Sequence, residues 1–316
     1  MRKVVTGGAG FIGSNYLRKM VPENIDTEYV VLDSLTYAGR LSNIEPLIGR
    51  ENFRFVHGDI TDHALVESII QSGDTVINFA AESHVDRSIE SGHSFVLTNV
   101  LGTQVLLEAS VRAGGVKFIK ISNDEVYGSI SSRSWNEEFS LSPNSPYSAS
   151  KAAADLLCLS YFKTFNLDVR ITRCSNNYGP YQYPEKLIPF FIKKLLSNQK
   201  VPLYGTGENI REWIHVDDHI QGIDLVDENG MPGEVYNLGS GEHLTNLQIA
   251  KFLLSSMSVS HDMIEFVEDR KGHDFRYSLD ISKAKSLLNF QPMVNFENGL
   301  TETINWYRNN QDFLMA

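Results

Sequence analysis

The stretch Thr6-Gly7-Gly8-Ala9-Gly10-Phe11-Ile12-Gly13 decides the fold of this chain. It follows the short apolar run Lys3-Val4-Val5 and precedes Ser14-Asn15-Tyr16-Leu17, an order that indicates a strand, a tight turn and a helix. The three spaced glycines would let the turn close, let the backbone approach a pyrophosphate, and let the helix pack on the strand. The helix N-terminus would then offer unpaired N–H groups to the phosphates. The pattern predicts a dinucleotide site formed by Gly7, Gly10, Phe11, Ile12 and Gly13.

A second predicted strand, residues 29–33, ends in an acid 20 positions after Gly13. An acid at this place, Asp33, would hydrogen-bond the adenosine ribose and disfavour a 2′-phosphate. The sequence therefore predicts NAD rather than NADP as the cofactor.

Strands and helices continue to alternate along the first half of the chain. Apolar runs at 53–60, 74–81, 116–121 and 168–173 predict strands, and an amphipathic pattern predicts a helix at 95–113. This alternation is typical of an α/β fold with a Rossmann-type, doubly wound parallel sheet. The cofactor would also contact residues that follow the third and fourth strands, namely Asp59, Ile60, Ala80 and Ala81.

The regular alternation weakens after residue 175. We predict an NAD-binding Rossmann domain at 1–175, with the chain returning to it around 210–224. Residues 176–316 would form mainly a smaller, mixed α/β C-terminal substrate-binding domain. The intervening loop, 174–189, is rich in Asn, Tyr, Gly and Pro, which favours a binding loop over a core segment.

Two neighbouring segments carry the chemistry. Asp124 and Glu125 follow the strand at 116–121, so they would lie at the carboxyl edge of the sheet, where open α/β sheets bind ligands. Adjacent carboxylates can act as an acid and a base when their environments separate their pKa values. Tyr147 and Lys151 are four residues apart, which places them on one helical face, where the ammonium would lower the pKa of the phenol.

Composition places the chain among ordinary globular proteins. It has 316 residues, 42% hydrophobic and 21% charged, and a formal net charge of −11, which argues against a broad nucleic-acid surface. Its two cysteines, Cys158 and Cys174, are too few for a disulfide framework and lie in no metal-type spacing. Neither a signal peptide nor a long apolar span is evident, so we expect a cytoplasmic protein with no membrane, nucleic-acid or metal partner.

Several motifs together resemble the extended short-chain dehydrogenase/reductase family. They are TGGAGFIG at 6–13, SNDEVYG at 122–128 and YSASK at 147–151. Within that family, four further segments are similar to the dTDP-glucose 4,6-dehydratases: LTYAG at 35–39, AAESHVDRS at 80–88, TRCSNNYGPYQYPEKLIP at 172–189 and DRKGHDFRY at 269–277. The resemblance covers essentially the whole chain.

The resemblance implies an internal redox cycle on dTDP-glucose. NAD would oxidise C4 of the sugar, water would leave across C5 and C6, and the hydride would return to C6. Tyr147 would act as base at the C4 hydroxyl, assisted by Lys151, which would also hold the nicotinamide ribose. Glu125 would remove the C5 proton, and Asp124 would protonate the departing C6 hydroxyl.

The resemblance also implies a set of substrate contacts. These are His84, Asn123, Asn176, Lys186, Leu187, Pro202, Tyr204, Arg211, Asn237, Arg270, His273 and Tyr277, with Tyr204 stacking on the base. For His84, a structural hydrogen bond is an equal alternative to a ligand contact.

The chain departs from the family at two positions. Asn123 replaces the usual threonine, whose hydroxyl binds the C4 oxygen; an amide can also donate, but cannot relay a proton. Glu212 stands where aspartate is commoner, and carries no functional prediction.

Alternatives remain open. A 4-epimerase, or a dehydratase of another nucleotide sugar, would share the glycine turn and the Tyr147/Lys151 pair, but an epimerase would not need Asp124 and Glu125. A non-catalytic NAD-binding scaffold is a third reading. Family members are usually homodimers joined through the helix after the fourth strand and the Tyr/Lys helix, whose apolar residues could equally be core.

Overall fold

A computed structural model describes residues 1–269 and 272–315, and its centre is a seven-stranded parallel sheet. In spatial order the sheet runs β10-β6-β5-β4-β1-β2-β3, and every neighbouring pair is parallel. The strands are β1 (Arg2–Thr6), β2 (Glu28–Asp33), β3 (Phe53–His57), β4 (Thr75–Asn78), β5 (Lys117–Asn123), β6 (Asp168–Cys174) and β10 (Val235–Leu238). Because the strand order reverses between β1 and β4, a ligand crevice opens there at the carboxyl ends. The predicted doubly wound sheet is confirmed.

Helices cover both faces of this sheet, as parallel strands require. They are α1 (Phe11–Glu23), α2 (His63–Ile69), α3 (Val85–Glu90), α4 (His93–Phe95), α5 (Thr103–Ala113), α6 (Pro146–Phe165) and α8 (Val216–Asn229). One apolar cluster lies beneath α1 and α8, and another beneath α2, α5 and α6.

The helix predicted at 95–113 is observed as one continuous element, His93–Ala113, in which Val96–Gly102 is π-helical. Contrary to the expectation of no long apolar span, this helix is long and apolar enough to cross a membrane by length and composition. Half of an apolar 18-residue stretch of this helix is buried, and core helices of soluble proteins can have the same length and composition. These properties are therefore weak evidence for a membrane.

The second half of the chain builds a smaller layer around two short sheets. One sheet orders β11 (His243–Thr245), β9 (Ile210–His215) and β7 (Asn176–Tyr178), and the other pairs β12 (Ile264–Val267) with β8 (Val201–Tyr204). The helices here are α7 (Leu187–Leu196), α9 (Asn246–Ser256), α11 (Phe296–Asn309) and α12 (Gln311–Met315), whereas α10 (Ser282–Leu288) packs on β10 and α8 at the large sheet. Trp306 packs against Tyr181 and Phe313, in keeping with a packing role.

The chain re-enters the large sheet late. Strand β9 belongs to the small sheet, whereas α8 packs on α1 and β10 forms the edge of the large sheet. The division of the chain at residue 175 remains a prediction.

Two buried charge clusters support the large sheet. The carboxylate of Asp227, at the end of α8, forms ion pairs with two lysines. Lys3 Nζ lies 2.7 Å from Oδ2, and Lys117 Nζ lies 2.8 Å from Oδ1. Lys120 on β5 is fully buried, donates to Thr103 Oγ1 at 3.1 Å, and has its pKa lowered to about 7 by burial and by the neighbouring Lys151.

Candidate active site

The glycine turn between β1 and α1 forms a cradle that side chains would fill. Gly7 has a φ of +70°, and a Cβ built on it would lie 2.5 Å from the backbone nitrogen of Ala80. A Cβ on Gly13 would lie 2.4 Å from the carbonyl oxygen of Gly7. Helix α1 starts after Gly10 without any side-chain cap, so its first N–H groups face the cavity. These features suit a pyrophosphate held by backbone N–H groups and the helix dipole.

A cavity of about 100 Å³ lies beside this cradle. The predicted adenosine contacts line it: Gly7, Gly10, Asp33, Asp59, Ile60, Ala80 and Ala81. The Asp33 carboxylate is held in place because it accepts from the N–H groups of Ala9 and Leu35, both at 2.8 Å. Burial raises its pKa, and the two backbone hydrogen bonds oppose that rise.

A second cavity, of about 310 Å³, continues from the glycine turn to the carboxyl end of β5. It is lined by Phe11, Ile12 and Gly13 on one side and by Asn123, Asp124, Glu125, Tyr147 and Lys151 on the other. The residues present therefore fit an extended dinucleotide whose redox end meets the predicted catalytic side chains.

The predicted catalytic tyrosine and lysine lie in the first turns of α6. The side-chain amide of Asn123 donates to the Tyr147 hydroxyl at 3.1 Å, and Lys151 Nζ donates to the carbonyl oxygen of Ile121 at 2.6 Å. Burial raises the pKa of Tyr147 well above its usual value, reinforced by the nearby Glu125 carboxylate, and burial lowers the pKa of Lys151. Lys151 is not among the groups that shift the Tyr147 pKa in this arrangement, and the lowering of that pKa by the lysine remains a prediction.

The two adjacent carboxyl groups occupy different environments. Asp124 is fully buried, and burial followed by repulsion from Glu125 raises its pKa well above the usual range, which favours the protonated form. Glu125 is partly exposed and accepts from Ser148 Oγ at 3.2 Å and, at 3.4 Å, from Asn123 Nδ2. A deeply buried carboxyl beside a more accessible one can act as an acid and a base, and the assignment of these roles to Asp124 and Glu125 remains a prediction.

An outer cavity of about 490 Å³ opens beyond Glu125. Nine of the predicted substrate contacts line it: His84, Asn176, Lys186, Leu187, Pro202, Tyr204, Arg211, His273 and Tyr277. Residues Glu125, Asn176, Lys186 and Leu187 also line the second cavity, so the two spaces share a wall.

Arginine and aromatic side chains shape the far end of the outer cavity. The guanidinium carbon of Arg211 lies 4.3 Å from the centroid of the Tyr277 ring, and its Nη2 donates to the Asp274 carbonyl oxygen at 2.8 Å. Tyr204 is 39% exposed and lies in the wall of this cavity. A fixed guanidinium beside exposed aromatic surface suits a nucleoside diphosphate.

His84 makes a structural hydrogen bond, and its contact with a ligand remains a prediction. Its Nδ1 accepts from the N–H of Arg87 at 3.3 Å and so caps α3, while the ring borders the outer cavity. Burial lowers its pKa, which favours the neutral ring.

Two predicted contacts are not in the cleft that the structure describes. Asn237 lies fully buried on β10, where its side chain binds Tyr127, Trp135 and the Asp280 carbonyl; it lines neither cavity. Arg270 lies outside the described residues. Among those residues, no group of His, Cys, Asp or Glu side chains could hold a metal ion.

Comparison with known proteins gives the family. The family model for GDP-mannose 4,6 dehydratase matches residues 4–303. The chain belongs to this GDP-mannose 4,6-dehydratase family. Among its relatives, a dTDP-glucose 4,6-dehydratase of Streptomyces niveus is 53% identical over 315 residues, covering 98% of this chain and 94% of the relative.

Solved structures of the family agree with the fold. The dTDP-glucose 4,6-dehydratase DesIV of Streptomyces venezuelae, crystallised with NAD bound, has a TM-score of 0.97 and 51% identity, over 99% of this chain and 98% of that one. A UDP-glucuronic acid 4-epimerase of Bacillus cereus, also with NAD, has a TM-score of 0.91 at 30% identity, covering 98% of this chain and 100% of that one. Dehydratases and epimerases thus share this fold, and side chains must separate them.

Sequence reasoning overlooked two cleft residues of this family member. Asn246, the first residue of α9, lines the outer cavity with a buried side-chain oxygen that has no hydrogen-bond partner in 1–269 and 272–315. Glu185 lines both cavities. The capping box formed by Thr245 and Gln248 could have predicted a helix that starts at Asn246.

The second departure from the family pattern, Glu212, has a structural explanation. Its buried carboxylate accepts from the N–H groups of Gly241 at 2.9 Å and Leu279 at 2.7 Å, tying two loops together behind Arg211. The two cysteines are buried and free.

Proposed function

We propose that this chain is an NAD-dependent dTDP-glucose 4,6-dehydratase that forms dTDP-4-keto-6-deoxyglucose. The observation that carries the proposal is the position of Asp124 and Glu125 beside Tyr147, where the dinucleotide cavity meets the outer cavity. The names of its close relatives agree with this assignment. The product would feed deoxysugar biosynthesis.

The cofactor site consists of the glycine turn, Asp33 and Lys151. When bound, NAD would supply the acceptor for the C4 hydride, its later donor to C6, and a positive charge that favours the phenolate form of Tyr147. The Tyr147 oxygen can then take the proton of the C4 hydroxyl, with Asn123 Nδ2 fixing its position at 3.1 Å.

Elimination of water divides between the two carboxyl groups. Ketone formation at C4 acidifies the C5 hydrogen, and Glu125, partly exposed at the shared wall, removes it. Asp124, whose pKa is raised by burial, would donate its proton to the departing C6 hydroxyl. Glu125 would return its proton to C5 as C6 is reduced. The proton that Tyr147 took from the C4 hydroxyl balances the one that Asp124 lost, so release of the first to solvent and uptake of another by Asp124 restore the starting state.

The outer cavity would bind the nucleotide part of the substrate. Arg211 would pair with the diphosphate through its planar fork, and Tyr204 would stack on the base. We include Arg270 in this set from the family resemblance. Asn246, which lines the outer cavity, would be a further substrate contact.

We also propose a cytoplasmic homodimer. Its supporting feature is an exposed apolar surface on the helices after β4 and β5, where Val96 is 55% exposed and Leu156 is 57% exposed. Two free, buried thiols suit a reducing compartment. Sedimentation of wild type and of Leu156→Glu tests the dimer: we expect a monomeric variant, and an unchanged mass would contradict this interface.

The direct test of function is incubation of the purified protein with dTDP-glucose without added reductant. Loss of one water from the sugar nucleotide, the alkali-induced absorbance of a 4-keto sugar and no net NADH are expected. Unchanged mass would contradict the proposal and favour an epimerase, which isomer separation would reveal. Parallel assays with UDP-glucose and GDP-mannose test the nucleotide.

A further inference from the structure

We propose that Tyr37 is a positioning residue that fastens Glu185 across the cleft and thereby retains the cofactor between the two hydride transfers. The inference rests on the proposed function, because a reaction that returns its own hydride needs a cofactor that stays bound. Tyr37 lies in the loop after β2, and Glu185 lies just before α7, 148 residues away in sequence.

The contacts at Glu185 come from three side chains of the Rossmann layer. The Tyr37 hydroxyl donates to Glu185 Oε1 at 3.1 Å, and Arg87 Nη2 lies 3.3 Å from Oε2. His84 Nε2 lies 3.9 Å from the same oxygen. The Glu185 side chain is only 10% exposed, so these contacts replace most of its hydration.

Tyr37 and Arg87 also support each other. The guanidinium carbon of Arg87 lies 3.7 Å from the centroid of the Tyr37 ring, a cation–π geometry. The Tyr183 ring meets the Tyr37 ring edge-on at 5.4 Å. The tyrosine is thus held on both sides, and its hydroxyl has a fixed direction toward Glu185.

These contacts join two loops that line the cofactor cavities and together form their roof: the loop after β2 and the loop before α7. On the first loop, Ser34, Thr36 and Gly39 line the adenosine cavity, and Ala38 lines both that cavity and the next. On the second loop, the dinucleotide cavity is lined by Gln182, Tyr183, Glu185, Lys186 and Leu187. The Tyr37–Glu185 contact therefore spans the roof above the predicted middle of the cofactor.

The first loop is held in a strained conformation. Leu35 has a φ of +50°, which a branched side chain adopts only at an energetic cost. Its N–H donates to Asp33 Oδ1, so the ribose-binding acid anchors the loop at one end. Loss of the Tyr37 contact at the other end would release a loop that is already under strain.

A second set of contacts holds the far loop. Lys186 Nζ donates to the Ser83 carbonyl oxygen at 2.5 Å. The guanidinium carbon of Arg40 lies 4.9 Å from the centroid of the Tyr183 ring and 4.7 Å from that of Phe313. Removing only the Tyr37 hydroxyl should therefore loosen the roof without unfolding either loop.

The experiment measures cofactor release directly. Enzyme loaded with NADH is mixed with excess NAD, and the fall of bound-NADH fluorescence gives the dissociation rate. Tyr37→Phe keeps the contacts of the ring with Arg87 and Tyr183. It should release NADH about tenfold faster, which is the effect of losing one hydrogen bond to a charged group. Tyr236→Phe, which loses a hydroxyl contact to the Met231 N–H far from the cleft, is the matched control and should match wild type.

A double-mutant cycle assigns the effect to the pair. In a Glu185→Ala background, Tyr37→Phe should change the NADH dissociation rate little further, because its partner is already absent. Equal dissociation rates for wild type and Tyr37→Phe, or full additivity with Glu185→Ala, would overturn the proposal. Wild-type turnover of dTDP-glucose is measured separately, so that failure of the proposed function is distinguished from failure of this inference.

Discussion

The side-chain amide of Asn123 donates to the hydroxyl of Tyr147 at 3.1 Å, so the residue that departs from the family pattern touches the proposed catalytic base. Its Oδ1 is buried and has no hydrogen-bond partner among residues 1–269 and 272–315. An amide thus positions the base with one end and presents an unpaired acceptor to the site with the other. The C4 hydroxyl of the sugar is a donor that could satisfy it.

Replacing Asn123 tests this role. Asn123→Ala removes the donor to Tyr147, and we expect kcat to fall about 10- to 100-fold with dTDP-glucose. Asn123→Thr restores a hydroxyl and should retain most of the activity. Steady-state product formation measures both, and near-wild-type turnover by the alanine variant would contradict a positioning role for Asn123.

Separating Asp124 from Glu125 tests the division of acid and base. Asp124→Asn keeps the shape but cannot donate a carboxylic proton, so kcat should fall about 10²- to 10⁴-fold. Because oxidation at C4 does not need this proton, absorbance of reduced cofactor should build up on the enzyme after mixing with substrate.

Glu125→Gln is the matched variant one residue away. It should also lose turnover, and exchange of the C5 hydrogen with deuterated solvent should stop, since the base is missing. If Asp124→Asn lost the initial oxidation as well, the assignment of Asp124 to the elimination step would be wrong.

The buried Lys120 should make stability depend on pH. Its folded-state pKa of about 7 lies below the ordinary lysine value, so between these values the unfolded chain binds the extra proton. Wild-type stability should therefore rise by about 2 kcal/mol from pH 7 to pH 9 through this group. Lys120→Met lacks this titrating group. The free energy of unfolding of wild type should therefore rise by about 2 kcal/mol relative to that of Lys120→Met between pH 7 and pH 9.

Denaturant unfolding of wild type and Lys120→Met at both pH values measures the difference. Lys283, whose ammonium is partly exposed and pairs with Glu234, provides the control variant Lys283→Met. An equal pH dependence in wild type and Lys120→Met would show that the buried ammonium is not the titrating group.

The Asp227 cluster should be a large contributor to stability. Burial alone would raise the pKa of Asp227, but Lys3 and the hydrogen bond from Lys117 outweigh it and lower the pKa. Asp227→Asn leaves these ammonium groups without their carboxylate, and we expect a loss of about 3 to 5 kcal/mol at pH 7. Because the pKa is lowered on folding, the difference should diminish as the pH falls below about 4.

Glu234→Gln breaks a comparable ion pair on the surface, at 2.6 Å from Lys283. It should cost less than about 1 kcal/mol, because an exposed pair is screened by solvent. Similar losses for the two variants in denaturant unfolding would contradict a special role for burial at Asp227.

Local patterns were sufficient to predict the large sheet and the side chains Asp124, Glu125, Tyr147 and Lys151 that line one cavity at its carboxyl edge. The glycine turn depends on close backbone approach, and Tyr147 and Lys151 depend on helical spacing; both are properties of short segments. The strands that end in Asp33 and in Asn123 were predicted from apolar runs, which are typical of strands buried in a parallel sheet. The order of these segments then brings their carboxyl ends together.

Contacts between distant segments could not be predicted in this way. Two asparagines, Asn237 and Asn246, occur near polar turns, and only packing shows that the first is buried behind the sheet while the second faces the cavity. The pairing of Tyr37 with Glu185 depends on how the C-terminal layer is placed over the cleft.

The sequence by itself determined which elements form and which chemical groups stand at the ends of the strands, because spacing and backbone preference are local. Tertiary structure alone decided the proton affinities. Burial raises the pKa values of both Asp124 and Tyr147, because desolvation depends on everything that packs around a group.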